Sequence, residues 1–365
     1  MSERKLASIQ SILEVQSIKG ADFIEIVKVL GWQCVAKKGE FKVGDKVVYI
    51  EIDSLLPDIP VFEFMRARKF RVKTANFKKA LSQGLVCGLE ILKKDSYEVG
   101  DDVTEIIGVV KYDPQAALEQ RMLDEKLARS NNKIDKYFKK YKWYRSLFMA
   151  KKRIGFPAFI SKTDETRIQN IPNIIESEKD TEFTVTEKLE GQSGTFYLIK
   201  NRKLSKFWKP YIFGVCSRSL ELTKEDNSSY WTIARQLNIE SVLKEMLERT
   251  SDSHIILQGE IIGEGIQKNY YNIEGYDFYA FNLIYSSGKV ESIRSEILLE
   301  RFGIKFVPIL DVNFKLPLNV DDLLKATEGE SKLYPITREG IVIRNNEKNI
   351  SFKAVSNNFL LKNEE

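Results

Sequence analysis

The chain has 365 residues, with 57 Lys and Arg against 52 Asp and Glu, a net charge of +5, 43% hydrophobic residues, one His and three Cys. At about 150 residues per domain this length predicts two to three domains, and the apolar fraction excludes global disorder. One histidine, His254, and three scattered cysteines, Cys34, Cys87 and Cys216, argue against a Ser-His-Asp triad, a His-rich zinc site, a zinc ribbon and a disulfide framework. Enzymatic chemistry would then have to rest on lysines and carboxylates.

The start, Met1-Ser2-Glu3-Arg4-Lys5, leads into no uninterrupted apolar run, and no stretch of about 18 apolar residues occurs. With reduced, packed cysteines, this predicts a cytoplasmic protein with no signal peptide and no membrane span.

From the start to about residue 110 the pattern is of short strands separated by turns. Residues 23–30 mix alternation with β-branched side chains, residues 46–52 follow a Gly44-Asp45 turn, and residues 85–89 follow Gly84. This spacing predicts a small barrel or sandwich. An OB-like barrel is the commonest such module in nucleic-acid work, with an SH3-like barrel as the alternative. Asp113-Pro114 then opens a helix, Asp as N-cap and Pro at the first helical position, with Leu118, Met122, Leu123 and Leu127 along one stripe. A second helix over 134–148 follows. From about Phe156 the pattern changes to longer strands and hairpins with one clear helix over 231–248, an α+β arrangement that is mostly antiparallel. The expected division is an OB-like nucleic-acid-binding domain (1–112), a basic helical linker (113–153) and a C-terminal domain (154–365).

The positive charge is concentrated in two stripes. Between Arg66 and Lys79 lie seven basic residues, Lys69, Arg71 and Lys73 at their centre, with no acid among them and with Phe70 and Phe77 interleaved. From Lys133 to Arg153 there are nine basic residues, one acid and six aromatics. Such stripes suit a phosphate backbone, where counterion release supplies much of the affinity, although a solvated helix face accounts for either one nearly as well.

Chemistry concentrates in an ordered series. Thr186-Glu187-Lys188-Leu189-Glu190-Gly191 contains a KxxG pattern, which residues 28–31 and 152–155 also match, so the pattern alone means little. Downstream come Cys216-Ser217-Arg218-Ser219, Leu257-Gln258-Gly259-Glu260-Ile261-Ile262-Gly263 and Asp277-Phe278-Tyr279-Ala280-Phe281-Asn282. Arg338-Glu339-Gly340-Ile341-Val342-Ile343 and Ser351-Phe352-Lys353-Ala354 complete it.

That order resembles the covalent nucleotidyltransferases, the superfamily of polynucleotide ligases and mRNA capping enzymes, over about residues 156–362. Within it the chain looks most like the ATP-dependent RNA ligases with an N-terminal OB domain, often called family 5 RNA ligases. Residues 159–170 look like their approach to the catalytic domain, and Gly263-Glu264-Gly265-Ile266-Gln267-Lys268-Asn269 is similar to a signature of related RNA ligases. The resemblance implies a C-terminal adenylylation domain, ATP and Mg²⁺ (or Mn²⁺) as cofactors, and a lysyl-AMP intermediate. It also implies action on RNA with 3′-hydroxyl and 5′-phosphate ends, as at a nick in a duplex, in RNA repair; a monomer is expected.

The implied roles agree with elementary chemistry. A phosphoramidate needs a nitrogen nucleophile, and Lys188 supplies the amine once a nearby cation depresses its pKa. Mg²⁺ prefers oxygen ligands and keeps its waters, which makes Glu190, Glu260 and Glu339 the candidate metal carboxylates. Glu190 stands where relatives often have Asp, which leaves direct, water-mediated or absent contact open. Glu-Gly also occurs at Glu190, Glu264, Glu274 and Glu328, but only Glu339 stands a hairpin's span before Lys353. Arg218 and Lys353 would bind phosphates, the first by a bidentate fork and the second as a point charge. Phe281 would stack on adenine, or else pack in the core with Phe278 and Tyr279. Glu187, Gly191 and Val342 would complete the nucleotide pocket, and Arg167 and Lys268 would contact substrate phosphates. Relatives often carry a Lys-x-Lys pair at the last motif; here the second position is Val355, with Lys362 as a candidate substitute. His254 is expected to be structural. DNA ligases and capping guanylyltransferases usually carry an OB domain after the last motif, whereas 12 residues follow Lys353 here. A non-catalytic nucleic-acid-binding protein with the same fold is a third possibility, against which the intact set of Lys188, Glu260, Glu339 and Lys353 argues.

Overall fold

The computed structural model describes residues 4–78, 80–92, 96–112, 156–201, 210–222 and 227–363. Both expected linker helices and the second basic stripe lie outside the described residues, as does Lys79. In the N-terminal module the strand Lys46–Ile50 runs antiparallel to Ala7–Ser11 on one side and Leu85–Cys87 on the other. It is buried on both faces. Val48 and Ile50 join Ile9, Phe62 and Met65 in one core, while Val47 and Tyr49 join Val27, Val29, Trp32 and Cys34 in another. Alternation over Ile24–Val29 reads as expected, with Val27 and Val29 turned in, and a turn at Leu30-Gly31 pairs this strand with Trp32–Lys37. The strand expected over 85–89 is shorter, because the chain turns into a 3₁₀ helix, Leu89–Ile91, straight after Gly88.

The C-terminal half is built on two sheets. The first has the order Thr166–Arg167, Ile350–Val355, Gly340–Asn345, Glu182–Lys188, Ile309–Lys315. In the second, Glu221–Leu222, Tyr211–Cys216, Gln192–Lys200, His254–Gly263, Tyr276–Tyr285 and Gly288–Lys289 follow one another. Pairing is antiparallel except where Thr166–Arg167 and Lys305–Phe306 each run parallel to a neighbour. The chain passes from one sheet to the other across Leu189-Glu190-Gly191, so Lys188 ends one sheet where the other begins.

The single helix expected over 231–248 is two helices, Ser229–Gln236 and Ile239–Glu248. Asn238 adopts φ 47°, which ends the first helix and lets the second restart at a new angle. Further helices of the described residues were not expected from the sequence, the longer of them Ser292–Glu300, Val320–Ala326 and Asn357–Asn363. No helix of the described residues is long and apolar enough to cross a membrane.

Specific bonds join the two halves. Gly31 N–H donates to the Gln169 carbonyl at 2.9 Å, and a Cβ at Gly31 would lie 2.8 Å from Gln169 Cα, so the approach depends on glycine. Trp32 Nε1 donates to Asn170 Oδ1 at 2.6 Å, and Asn170 Nδ2 donates to Glu51 Oε1 at 2.6 Å. Val355 and Leu360 pack into the Trp32 core.

Candidate active site

Register explains the convergence of side chains distant in sequence. Lys188 pairs with Gly340 across the first sheet, which brings Glu339 alongside the lysine. Its Nζ stands 2.5 Å from Glu339 Oε1. In the second sheet Glu260 pairs with Ser193, whose hydroxyl donates to Glu260 Oε2 at 3.3 Å. Glycine is required at the crossing: a Cβ at Gly191 would lie 2.5 Å from the Ile261 carbonyl oxygen and 2.9 Å from Glu260 Cγ. The Glu190 N–H donates to the Tyr271 hydroxyl at 2.9 Å, which ties the turn to the loop after Gly263.

Three carboxylates thus surround one amine. Burial pulls the Lys188 pKa down, but Glu339, Glu260 and Glu190 outweigh it and hold the amine above the ordinary lysine value. Burial together with Glu339 and Glu260 pushes Glu190 up to about 8, and burial with Glu339 pushes Glu260 up to about 7 against the pull of Lys188. Glu339 Oε2 is buried with no hydrogen-bond partner. Buried carboxyls raised by one another, with an orphaned oxygen among them, suit a divalent cation. Among the described residues no three His, Cys, Asp or Glu side chains stand close enough to hold a metal directly. Oxygen donors of this kind fit a hard cation that keeps much of its water, as Mg²⁺ does.

On the other side of the cleft the sign reverses. Lys353 pairs with Val342 and Arg167 in the first sheet. Burial, then Arg167 and Lys188, lower its pKa to about 7. Asp164 faces three cations: it accepts from Arg218 Nη2, from Lys111 Nζ at 3.0 Å, and lies 3.9 Å from Lys353 Nζ. Arg167 is buried and bonded to Asp53 of the N-terminal module at 3.1 Å, its Nε and Nη1 having no partner. Arg4 is bonded to Glu51 in the same module. No role for Asp164, Lys111 or Arg4 was legible in the sequence, although Asp164 falls within the 159–170 segment.

A cleft of about 480 Å³ is lined from both halves, by Arg4, Asp53, Arg71 and Lys111 on one side and the residues above on the other. Phe281 lines it for a local reason. The Tyr276–Tyr285 strand shifts register between Gln258/Asn282 and Gly259/Ala280, leaving Phe281 as the extra residue of a bulge. Phe278 is instead buried against Phe196 in the core. Val342 and Glu187 also line the cleft. Glu187 Oε2 accepts from the Lys332 N–H at 2.8 Å, while Oε1 is buried without a partner. Arg344, also missed in the sequence, sits 5.9 Å from the Phe281 ring centroid and donates to Thr186 Oγ1.

The residues expected to meet nucleic acid divide. Lys268 is exposed on the rim of the cleft, and Arg71 lies in it with its guanidinium 4.1 Å from the Tyr112 ring centroid. Lys69 is exposed outside the cleft and Lys73 is half-buried. Arg66, read as part of an acid-free stripe, is paired with Asp58 and Glu63. Lys362, the candidate for the missing second lysine, donates to Thr337 Oγ1 and is not among the residues that line the cleft. His254 packs edge-on against Phe159 at the start of its strand. All three cysteines are free.

An N-terminal barrel followed by two antiparallel sheets that meet at a lysine define a nucleotidyltransferase-type architecture. Family models agree: residues 6–89 match an OB-fold domain and residues 181–360 match RNA ligase. Among solved structures, Naegleria gruberi RNA ligase with PPi is 34% identical, with 99% of each chain covered and a TM-score of 0.78. A mutant of the same enzyme with AMP and Mn is 34% identical over 99% of each chain, with a TM-score of 0.79. Another mutant, with ATP and Mn, is 33% identical over 99% of this chain and 100% of that one, with a TM-score of 0.78. A comparison with curated proteins finds no match. The chain belongs to the RNA ligase family.

Proposed function

We propose that this chain is an ATP-dependent RNA ligase that joins a 3′-hydroxyl to a 5′-phosphate at breaks such as nicks in a duplex, through adenylylated Lys188. The observation that carries this reading is the placement of the Lys188 amine, 2.5 Å from Glu339 at the junction of two sheets, with carboxylates on one side of the cleft and the cations Arg218 and Lys353 on the other.

In the first step the lone pair of Lys188 Nζ attacks the α-phosphorus of ATP, the P–N bond forms, and the bond to pyrophosphate breaks while the amine loses a proton. Glu190, Glu260 and Glu339 would hold Mg²⁺ or Mn²⁺, largely through its waters. That ion would neutralise the α-phosphate and favour the uncharged amine. Phe281 and Val342 hold the base, Glu187 lies at its edge, and Gly191 lets the chain pass close beneath. Arg218 and Lys353 neutralise phosphate oxygens. In the second step a 5′-phosphate oxygen of RNA attacks the same phosphorus, the P–N bond breaks, and Lys188 regains its proton. In the third, the 3′-hydroxyl attacks the 5′-phosphate and AMP departs. Arg167 and Lys268 at the cleft, and Lys69, Arg71 and Lys73 on the N-terminal module, serve the RNA backbone. The N-terminal module is assigned to residues 1–112, the linker to 113–153 and the adenylylation domain to 154–365.

The test is incubation with magnesium and α-labelled ATP or GTP, beside Lys188→Ala. Acid-labile label from ATP that is absent in the variant is expected. Preference for GTP would indicate a capping-type enzyme, and label from neither would remove the enzymatic reading. Nicked duplexes with RNA or DNA on each side of the break then define the substrate.

A further inference from the structure

The acids that back the cationic half of the cleft are of two kinds. Glu51 is buried, holds Arg4 within the N-terminal module and accepts from Asn170 of the other half, while Asp53, about three-quarters buried, holds buried Arg167; both acids take part in the bonding between the modules. Asp164 differs. Its side chain is 47% exposed, it projects into the cleft, and it faces three cations delivered by three separate segments: Lys111, Arg218 and Lys353. Lys111 belongs to the N-terminal module, so Asp164 also links the two halves. Three cations converging on one small solvent-facing carboxylate reproduce what a phosphate group would meet there.

We propose that Asp164 is an internal place-holder for phosphate: it occupies the cations of the cleft between turnovers, yields them to the polyphosphate of ATP, and by retaking them helps to expel pyrophosphate. Half-exposure suits this exchange, because the carboxylate can swing into water at little desolvation cost. The cations respond as expected of a shared site. The three cations hold the Asp164 carboxyl far below the usual range despite the opposing effect of burial. Burial and Arg218 lower the Lys111 pKa, with Asp164 acting against them. Without Asp164 these groups would repel one another in the ligand-free cleft and attract a phosphate more strongly. The idea rests on the reading that Lys188 is adenylylated from ATP.

Asp164→Asn keeps the shape and removes the charge. Binding of pyrophosphate with magnesium to the full chain, measured by calorimetry, is expected to tighten about tenfold in this variant. Inhibition of Lys188 labelling by added pyrophosphate should strengthen in parallel, and Asp164→Glu should restore the wild-type value. Unchanged or weaker pyrophosphate binding by Asp164→Asn, in a variant whose melting temperature matches wild type, overturns the proposal; weaker binding would mean that Asp164 only scaffolds the cations. Failure of the wild-type chain to label at all would instead sink the reading of Lys188.

Discussion

Lys353 shows how far a single residue's surroundings bear on the reaction. An ordinary lysine would be charged throughout the physiological range, but burial, Arg167 and Lys188 bring this one to about 7. Bound phosphate favours the charged form, so above pH 7 ATP binding must take up a proton. The KM for ATP is therefore expected to rise between pH 7 and 9, approaching tenfold per unit if Lys353 governs binding. Lys353→Arg, charged over the whole range, should flatten that rise. An equally steep dependence in the variant would show that another group titrates. At this scale the meeting of Lys188, Glu339 and Lys353 in one cleft was legible in sequence, because the order of motifs singled out those residues. Asp164, Lys111, Arg4 and Arg344 were not, because their roles arise only from pairing with residues 47 or more positions away, which sequence spacing does not relate.

Among elements, the hairpin of Gly340–Asn345 and Ile350–Val355 sets the geometry, since its register puts Val342 opposite Lys353 and Gly340 opposite Lys188. Gly340 is held there by contact rather than by a turn: an added Cβ would sit 2.3 Å from the Ala354 carbonyl oxygen. Gly340→Ala should force the strands apart, costing about 1–3 kcal/mol of stability. A denaturant titration checks this, and an unchanged midpoint would mean that the hairpin accommodates the methyl. Strands with clear alternation, such as Ile24–Val29, were legible. The break between the two helices near residue 238 was not, because the apolar stripe continues from Ile233 and Ala234 to Ile239 and Leu243 across it. The bulge that frees Phe281 has no sequence signal either, which is why core packing and adenine stacking could not be separated there.

Across the whole molecule, modest net charge matters less than its distribution between modules. The first basic stripe read as one surface, but folding assigns Arg71 to the cleft, leaves Lys69 exposed outside it, and pairs Arg66 with acids. Lys69→Ala should leave lysine adenylylation intact while weakening nick sealing and lowering its salt slope by about one. Arg71→Ala should slow adenylylation as well, because its guanidinium stands over Tyr112 inside the cleft. Equal effects of the two variants on both steps would contradict this division. The change of pattern near residue 156 falls between the OB-fold match over 6–89 and the RNA ligase match over 181–360, whereas the seam through Trp32, Asn170 and Glu51 depends on side chains that sequence spacing does not relate.

In the proposed reaction the AMP carried by Lys188 is the form that acts on RNA. The most direct measurement isolates the labelled protein free of ATP, maps the modified peptide, and adds a nicked RNA duplex in a single turnover. AMP on Lys188 alone, its transfer to the 5′-phosphate end, and then sealing with release of AMP are expected. Label on another residue, or label on Lys188 that never passes to the RNA, would contradict that reaction.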